Sequence, residues 1–196
     1  MTIREIRQVG DPILRTPSDP VRQFDKRLRA LADDMFQTMY DAPGVGLAAN
    51  QIGVALRLFV YDCGPAEGDE DGPEQIGIVC NPRIIMLGQV GFDGTEFPGT
   101  GSNGARPSAL TEPDWADGDE GCLSVRGLAF HTPRWSAATV SGVDVFGDPL
   151  TVRGTGLLAR CLQHETDHLD GRLYLDRLLG EQKALARKAL ADSGRP

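Results

Sequence analysis

The segment QHETDHLDG, residues 163–171, places two histidines four residues apart, with a glutamate directly after the first. On an α-helix, residues i and i+4 lie nearly above one another, so His164 and His168 can bind one metal ion. Glu165 points in a neighbouring direction, where its carboxylate can take a proton from water beside that ion. The preceding residues, GTGLLARCL, are apolar, which predicts that the helix is buried. The segment therefore predicts a metal site on a buried helix.

A catalytic metal site of this kind usually has three protein ligands and one open position. The metzincin pattern would place a third histidine where this chain has Tyr174. Glu181, the only glutamate after the motif, lies in a polar stretch and is a poor match for the glutamate ligand of thermolysin-type proteases. Cys161 lies about 10 Å from His168 along the helix axis, whereas ligands sit only about 2 Å from the metal. The third ligand is therefore expected outside this helix.

Two residues outside the helix remain as candidates for the third ligand. Cys122 follows Gly121 in the segment DEGCLSV, where a glycine lets the backbone approach closely. Its thiolate would complete a Cys/His/His set that suits Fe(II) or zinc. His131, the third histidine of the chain, is the alternative. Cys63 and Cys80 lie in apolar strand-like runs and are interpreted as ordinary buried thiols.

The length and composition predict one soluble domain. The chain has 196 residues, of which 40% are hydrophobic and 24% charged, enough for a sizeable core. No apolar run is long enough to cross a membrane, and charges and prolines interrupt the N-terminal segment where a signal peptide needs a continuous apolar stretch. We therefore expect a cytoplasmic protein in which residues 1–196 form a single catalytic domain.

Charge and cysteine spacing argue against two other classes of protein. The net charge of −8 is unfavourable for a broad nucleic-acid-binding face. The four cysteines include no C-x-x-C pair, so in a cytoplasmic chain they are expected as reduced thiols or as ligands. The sequence therefore does not predict a direct nucleic-acid partner or a disulfide framework.

Hydrophobic spacing predicts helices at 25–41, 156–170 and 176–190, and strands at 55–63, 76–87 and 121–131. Residues 136–154 are typical of a β-hairpin, and the Gly-rich segment 44–53 is predicted as a close-approach loop. Residues 88–119 are interpreted as a loop-like insert because they lack hydrophobic periodicity. The predicted fold class is α+β, with mixed, mainly antiparallel strands packed around a buried helix that carries the motif, and with an N-terminal and a C-terminal helix.

Three segments together resemble a known family. GVGLAANQIG (44–53), EGCLSV (120–125) and QHETDHLDG (163–171) resemble the three motifs of peptide deformylase, in that family's order. The resemblance covers most of residues 4–180, apart from the insert. It implies that the third ligand is the cysteine of the second motif, Cys122. It also implies an enzyme that removes the N-formyl group from the first methionine of nascent polypeptides and releases formate.

The resemblance implies roles for further residues. Glu165 would act as general base, while the Gln51 side-chain amide and the Leu123 backbone N–H would donate hydrogen bonds to the formyl oxygen as it gains charge. The substrate peptide would lie as an added strand along the glycines of the first motif. The residues expected to bind substrate are Gly44, Val45, Gly46, Glu120, Gly121, Leu157 and Cys161.

The resemblance also implies a metal and partners. The family metal is Fe(II), which oxidises easily and which zinc or nickel can replace in purified protein. The partners are N-formyl-methionyl peptides and the ribosome near the nascent-chain exit, the latter through a C-terminal helix that carries Lys183, Arg187 and Lys188. No membrane partner is expected.

The chain departs from the family pattern at several positions near the second and third motifs. Arg126 stands in place of a usual proline, and Ala129 stands in place of a substrate-facing arginine, for which Arg126 and Arg134 are the candidate substitutes. Arg160 stands in place of a branched aliphatic residue and is expected near the pocket rim or in solvent. The altered residues around 126–129 and the insert motivate an alternative, an amidase that acts on a small N-formyl metabolite. A non-catalytic metal-binding domain is a further alternative, but it would need neither Glu165 nor Gln51.

Overall fold

The computed structural model describes residues 2–66, 68–87, 115–116 and 118–195. Within this part of the chain the helices are α1 (Lys26–Asp41), α2 (Gly156–Leu169) and α3 (Gly180–Asp192). The strands are β1 (Gly46–Ala48), β2 (Leu58–Asp62), β3 (Ile76–Leu87), β4 (Trp115–Ala116), β5 (Asp119–Gly121), β6 (Ala129–His131), β7 (Arg134–Trp135), β8 (Ala137–Val143) and β9 (Pro149–Thr155). The insert expected at 88–119 lies outside the described residues, except for 115–116 and 118–119.

The main sheet has five strands in the order β1-β2-β3-β8-β9, and every neighbouring pair is antiparallel. Two small antiparallel pairs, β4 with β7 and β5 with β6, lie beside it. The hairpin predicted at 136–154 is present as β8 and β9. The α+β class predicted from hydrophobic spacing is confirmed, since the helices pack against an antiparallel sheet.

Side chains of β2 alternate between two cores, one on each side of the sheet. Leu58 and Val60 belong to the core that α1 helps to form, whereas Phe59 and Tyr61 belong to the core that α2 helps to form. This alternation follows from the period of two along a strand. Burying a side chain such as Phe59, which is completely buried, contributes about 1.5–3 kcal/mol. The two cores hold α2 at a defined position on the sheet.

Helix α1 begins where the sequence predicts it, because Asp25 caps its first turn. The Asp25 carboxylate accepts hydrogen bonds from the backbone N–H groups of Arg27 and Leu28 at 2.8 and 3.1 Å. The helix ends at Asp41, before the first motif, and the Gly44 N–H donates to the Met39 carbonyl at 2.9 Å. The end of α1 therefore places the first motif next to the sheet.

Helix α2 carries the third motif and ends at a glycine. Gly171 has φ +73°, the left-handed conformation that commonly terminates a helix, and a Cβ there would lie 2.8 Å from the Arg15 backbone carbonyl. Residues 161–169 of α2 are all buried. The predicted bounds of 156–170 agree with the observed helix to one residue.

Three predicted elements differ from the structure. The run 121–131 was predicted as strand, but only β5 (Asp119–Gly121) and β6 (Ala129–His131) form there. The Gly-rich segment 44–53 was expected as a loop but forms strand β1 and then a short 3₁₀ helix, Ala49–Ile52, because its backbone pairs with β2. The last helix begins at Gly180 rather than at 176, because Tyr174–Asp176 form a separate 3₁₀ turn in which the Asp176 carboxylate accepts from the Leu173 N–H at 2.8 Å. None of the helices in the described ranges combines the length and hydropathy that a membrane span requires.

Candidate metal centre

Three potential ligand atoms from two parts of the chain meet at one point. Cys122, directly after β5, places its Sγ 3.2 Å from Nε2 of His168, and the two histidine Nε2 atoms are 3.1 Å apart. The three ligand atoms all lie within 4.8 Å of one another. His131, the alternative third ligand, lies in β6 with an exposed side chain and is not part of this group. The predicted Cys122, His164 and His168 are therefore the residues that the fold brings together.

The donor types and their orientation fit a divalent metal ion. Nδ1 of His164 is 2.6 Å from Oε1 of Glu120, so this nitrogen carries a proton and Nε2 is directed toward the other donors. Burial, with a smaller effect from His164, lowers the pKa of His168 well below its usual value, which keeps that imidazole neutral. Burial opposes a charge on His164, but Cys122 and Glu120 outweigh it and raise the pKa of this imidazole well above its usual value, so a metal ion that binds at Nε2 has to displace a proton there. A cysteine with two histidines is a donor set that iron and zinc both accept.

Glu120 is the centre of a buried ionic network. Arg134 binds it in a bidentate manner, with Nε 2.8 Å from Oε2 and Nη2 2.7 Å from Oε1, and Nη1 of the same guanidinium is 2.6 Å from Asp167. Arg160 adds a contact at 3.1 Å to Oε2 of Glu120. Burial opposes the charge on Glu120, but the hydrogen bonds from Arg134 and His164 outweigh it and lower the pKa of this carboxyl. The carboxylate that orients His164 is therefore held ionised.

Glu165 lies on α2 between the two histidines and is almost completely buried. Burial is the main cause that raises its pKa to about 7, and the Glu120 carboxylate adds to this effect while His164 opposes it. Its Oε2 has no hydrogen-bond partner among the described residues. A buried carboxylate with a pKa near neutrality is suited to accepting and returning a proton.

The Gln51 side chain is held next to Cys122 by two contacts. Its Oε1 accepts a hydrogen bond from the Ala48 N–H at 2.8 Å, and its Nε2 lies 3.2 Å from Oγ of Ser124 and 3.6 Å from Sγ of Cys122. The other predicted donor is the Leu123 backbone N–H. Gln8 helps to hold Leu123 in place, because Nε2 of Gln8 donates to the Leu123 carbonyl at 3.1 Å. Because Oε1 of Gln51 is bound to the backbone, the NH₂ group of Gln51 is directed toward Cys122.

A cavity of about 980 Å³ opens beside the three donors. All of the predicted substrate-binding residues line it, together with His164, Glu165, Gln51 and Leu123. Val45 and Leu157 are exposed at its mouth. A cavity of this size with an apolar mouth and a buried polar end is suited to binding the end of a peptide.

The glycines of the first motif allow other parts of the chain to approach closely. A Cβ at Gly46 would lie 2.4 Å from Oε1 of Glu165 and 2.7 Å from Sγ of Cys161. A Cβ at Gly44 would lie 2.7 Å from the Leu123 side chain. Gly46 is therefore required for the contact between β1 and α2, whatever peptide lies alongside it.

The structure places the residues that depart from the family pattern. Arg126 and Ala129 are exposed and line the cavity. Arg160 was expected near the pocket rim or in solvent; its side chain is only 12% exposed, and Nη1 also donates to the Thr132 carbonyl at 3.1 Å. Arg134, considered at first as a substitute substrate-facing arginine, is 3% exposed and committed to the ionic network.

The contacts of three residues of the site were not predicted from the sequence. Arg134, Asp167 and Ser124 all contact residues of the three motifs. Asp167 and Ser124 lie inside motif segments, so their position was a usable signal. Arg134 lies between motifs, and no local pattern distinguishes it from the other arginines of the chain.

Three side chains that could hold a metal ion lie next to a buried carboxylate on an α+β fold, an arrangement typical of metal-dependent hydrolases. A sequence model described as polypeptide deformylase matches residues 3–184. The peptide deformylase of Acidothermus cellulolyticus is 45% identical over 193 residues, which cover 98% of this chain and 88% of that protein. The chain belongs to the polypeptide deformylase family.

Solved structures agree with this assignment. A peptide deformylase from Legionella pneumophila is 38% identical with a TM-score of 0.75, and the match covers 98% of this chain and 96% of that one. A peptide deformylase from Synechococcus elongatus in complex with actinonin is 33% identical with a TM-score of 0.77, and the match covers 98% and 89%. The similarity extends over nearly the whole chain, so it includes all three motifs.

Proposed function

We propose that Cys122, His164 and His168 bind a divalent metal ion and that Glu165 is the general base in removing the N-formyl group from N-terminal formyl-methionine. One observation carries this proposal: a thiol and two imidazoles meet within 4.8 Å beside a buried carboxylate, at the end of a cavity. The family membership supports the reaction, and the geometry supports the role of each residue.

The reaction is the addition of water to the formyl group, which yields formate and a free amine. A bound divalent cation supplies Lewis acidity, which brings the pKa of water near neutrality. Glu165 accepts the proton of the attacking water and later donates it to the leaving amine. Nε2 of Gln51 and the Leu123 N–H donate hydrogen bonds to the formyl oxygen as it gains charge. Glu120 keeps His164 in the tautomer that binds metal.

The cavity binds the first residue and the backbone of the peptide. Leu157 and Cys161 of α2 contact the methionine side chain, while Val45 is at the mouth. The peptide backbone pairs with the first motif at Gly44 and Gly46 and with Gly121 on the opposite side. Backbone hydrogen bonds are independent of later side chains, which suits an enzyme that acts on many nascent chains.

The deformylase reaction is tested by formate release from formyl-Met-Ala-Ser under anaerobic conditions. We expect release by the metal-loaded protein, loss after chelation, and recovery when Fe(II), zinc or nickel is added. The Cys122→Ala variant should fail to retain metal. A strong preference for formylated single amino acids over the tripeptide would instead support an amidase that acts on small metabolites.

The metal in the cell is proposed to be Fe(II). The Cys/His/His donor set accepts Fe(II), zinc and nickel, and the order of intrinsic affinities favours replacement of iron during purification. Metal analysis of protein purified without oxygen tests this point, and zinc in such a preparation at full activity would contradict it.

Replacing Gln51 by methionine is expected to lower kcat about 10²–10³-fold, since one oxyanion donor is lost. The matched control is Gln163→Met. Gln163 is also buried, but its amide binds the Trp135 and Ala159 carbonyls away from the cavity. Steady-state kinetics on the tripeptide measure both variants. An equal loss of kcat in the two would mean that Gln51 acts only through stability.

The location and the ribosome partner are also proposals. All four cysteines are free, as expected in a reducing cytoplasm where nascent chains are made. The C-terminal helix α3 presents a largely exposed surface to solvent, with Ala186 as its buried residue. Lys183, Arg187 and Lys188 are exposed on it and provide a positive surface for contact with the ribosome.

Reversing these three charges to glutamate is expected to abolish co-sedimentation with ribosomes and to leave kcat on a free tripeptide unchanged, because α3 is outside the cavity. Raising the salt concentration should weaken binding of the unaltered protein in the same assay. Retained co-sedimentation of the triple variant would exclude α3 as the contact.

A further inference from the structure

Two cysteines that the proposed reaction does not use as ligands lie on facing elements of one core. In β2, Phe59 and Tyr61 point toward α2, and the period of two places Cys63 on the same side just after the strand. Cys63 packs against the core cluster that contains Cys161 of α2. The two thiols therefore approach each other from the sheet and from the helix.

A single carbonyl connects the backbone next to Cys63 with the Cys161 thiol. The Val45 carbonyl accepts from the Asp62 N–H at 2.9 Å and lies 3.6 Å from Sγ of Cys161. Asp62 directly precedes Cys63 in the chain. The Cys63 thiol, with burial as a second cause, raises the pKa of Cys161 well above its usual value, as expected for neighbouring thiols.

We propose that Cys63 and Cys161 form a reversible disulfide when the protein meets a hydroperoxide. Cys63 is half-buried and Cys161 buried, so oxidant reaches Cys63 first. Its thiolate attacks the peroxide, forming a sulfenic acid and releasing an alcohol or water. The Cys161 sulfur then attacks the sulfenic sulfur and displaces water. Two thiols lose two protons and two electrons, and one peroxide is reduced.

The consequence for catalysis rests on the proposed role of Cys161 in the methionine pocket. Formation of the bond draws Sγ of Cys161 away from the Val45 carbonyl and toward Cys63. The same sulfur is one of the atoms that fill the space next to Gly46. The pocket therefore changes shape, and we expect KM for the formylated tripeptide to rise about tenfold, as for other small misfits in apolar pockets.

The other two cysteines provide internal comparisons. Cys80 pairs with Leu58 in the sheet and belongs to the core on the α1 side, so it does not face Cys161. Cys122 is next to His168, where its sulfur would be bound to the metal ion in the metal-loaded protein. Peptide mapping therefore distinguishes the proposed bond from every other pairing.

The test uses zinc-loaded protein treated with a small excess of hydrogen peroxide, then alkylated and analysed by mass spectrometry. We expect an intact mass about 2 Da lower before alkylation, two fewer alkylated cysteines after it, a linked peptide pair containing Cys63 and Cys161, and a raised KM that dithiothreitol reverses. Cys80→Ala should form the same link. Cys63→Ser should keep the untreated kinetics and show neither the link nor the change in KM.

Absence of the linked pair, a link through Cys122, or an equal rise in KM in Cys63→Ser would each overturn the proposal. The mass measurement does not depend on deformylase activity. A linked but inactive protein would therefore contradict the proposed function alone, and an active protein without the link would contradict the disulfide alone.

Discussion

Replacing Glu165 by glutamine is expected to lower kcat for deformylation about 10²–10⁴-fold while the protein keeps its metal. Glutamine has nearly the same size, so it fits the space that Gly46 leaves beside α2. It cannot accept the proton that a carboxylate with a pKa of about 7 accepts. Steady-state kinetics and metal analysis of the same preparation measure the two effects separately.

Thr166→Val is the matched control for this variant. Thr166 follows Glu165 on α2 and is buried, and its hydroxyl donates to the Leu162 carbonyl of its own helix at 2.8 Å. It should retain kcat. If Glu165→Gln also retained kcat, the general base would have to be another group, and the assignment of Glu165 would be wrong.

Replacing Arg134 by methionine is expected to destabilise the fold by about 3–5 kcal/mol. The change removes the guanidinium that two buried carboxylates, Glu120 and Asp167, share, and leaves them with Arg160 and Arg177 as their remaining cations. Both carboxyls have pKa values lowered against the effect of burial, so both are charged at neutral pH. Urea unfolding of the metal-free protein at pH 7 measures the loss. The variant should also bind metal more weakly than the unaltered protein does, since Arg134 holds Glu120 and Glu120 orients His164.

Lys188→Met is the comparison for a surface ion pair. Lys188 is 2.8 Å from Asp192, but both side chains are largely exposed, and such pairs contribute little to stability. Its unfolding free energy should stay near that of the unaltered protein. Equal effects of the two substitutions would mean that the buried network does not stabilise the fold.

Local sequence patterns were sufficient to predict the secondary-structure elements that depend on neighbouring residues. The helix that carries His164 and His168 and the hairpin that precedes it were predicted to within a few residues, because apolar spacing, a terminal glycine and a turn are all local signals. The start of α3 was placed too early. Tyr174 is almost fully buried against the rest of the molecule, and this tertiary packing holds a 3₁₀ turn where spacing alone predicts a helix.

Local patterns predicted only two of the three candidate metal ligands. The two histidines were predicted as ligands from helix geometry, whereas geometry left both Cys122 and His131 open. The family resemblance selected Cys122, and the fold shows the reason. The pairing of β5 with β6 turns His131 to the surface, while the chain after β5 brings Cys122 to α2. No spacing rule covers contacts across 46 residues.

The sequence by itself determined the family, the three motifs and the helix that presents two imidazoles, since these depend on residue identity and short-range geometry. Only the tertiary structure decided that Glu120 is bound by Arg134 and His164, that Arg160 turns inward, and that Cys63 faces Cys161. These contacts join residues far apart in the chain. The ionic contacts of Glu120 form because burial makes an unpaired charge costly.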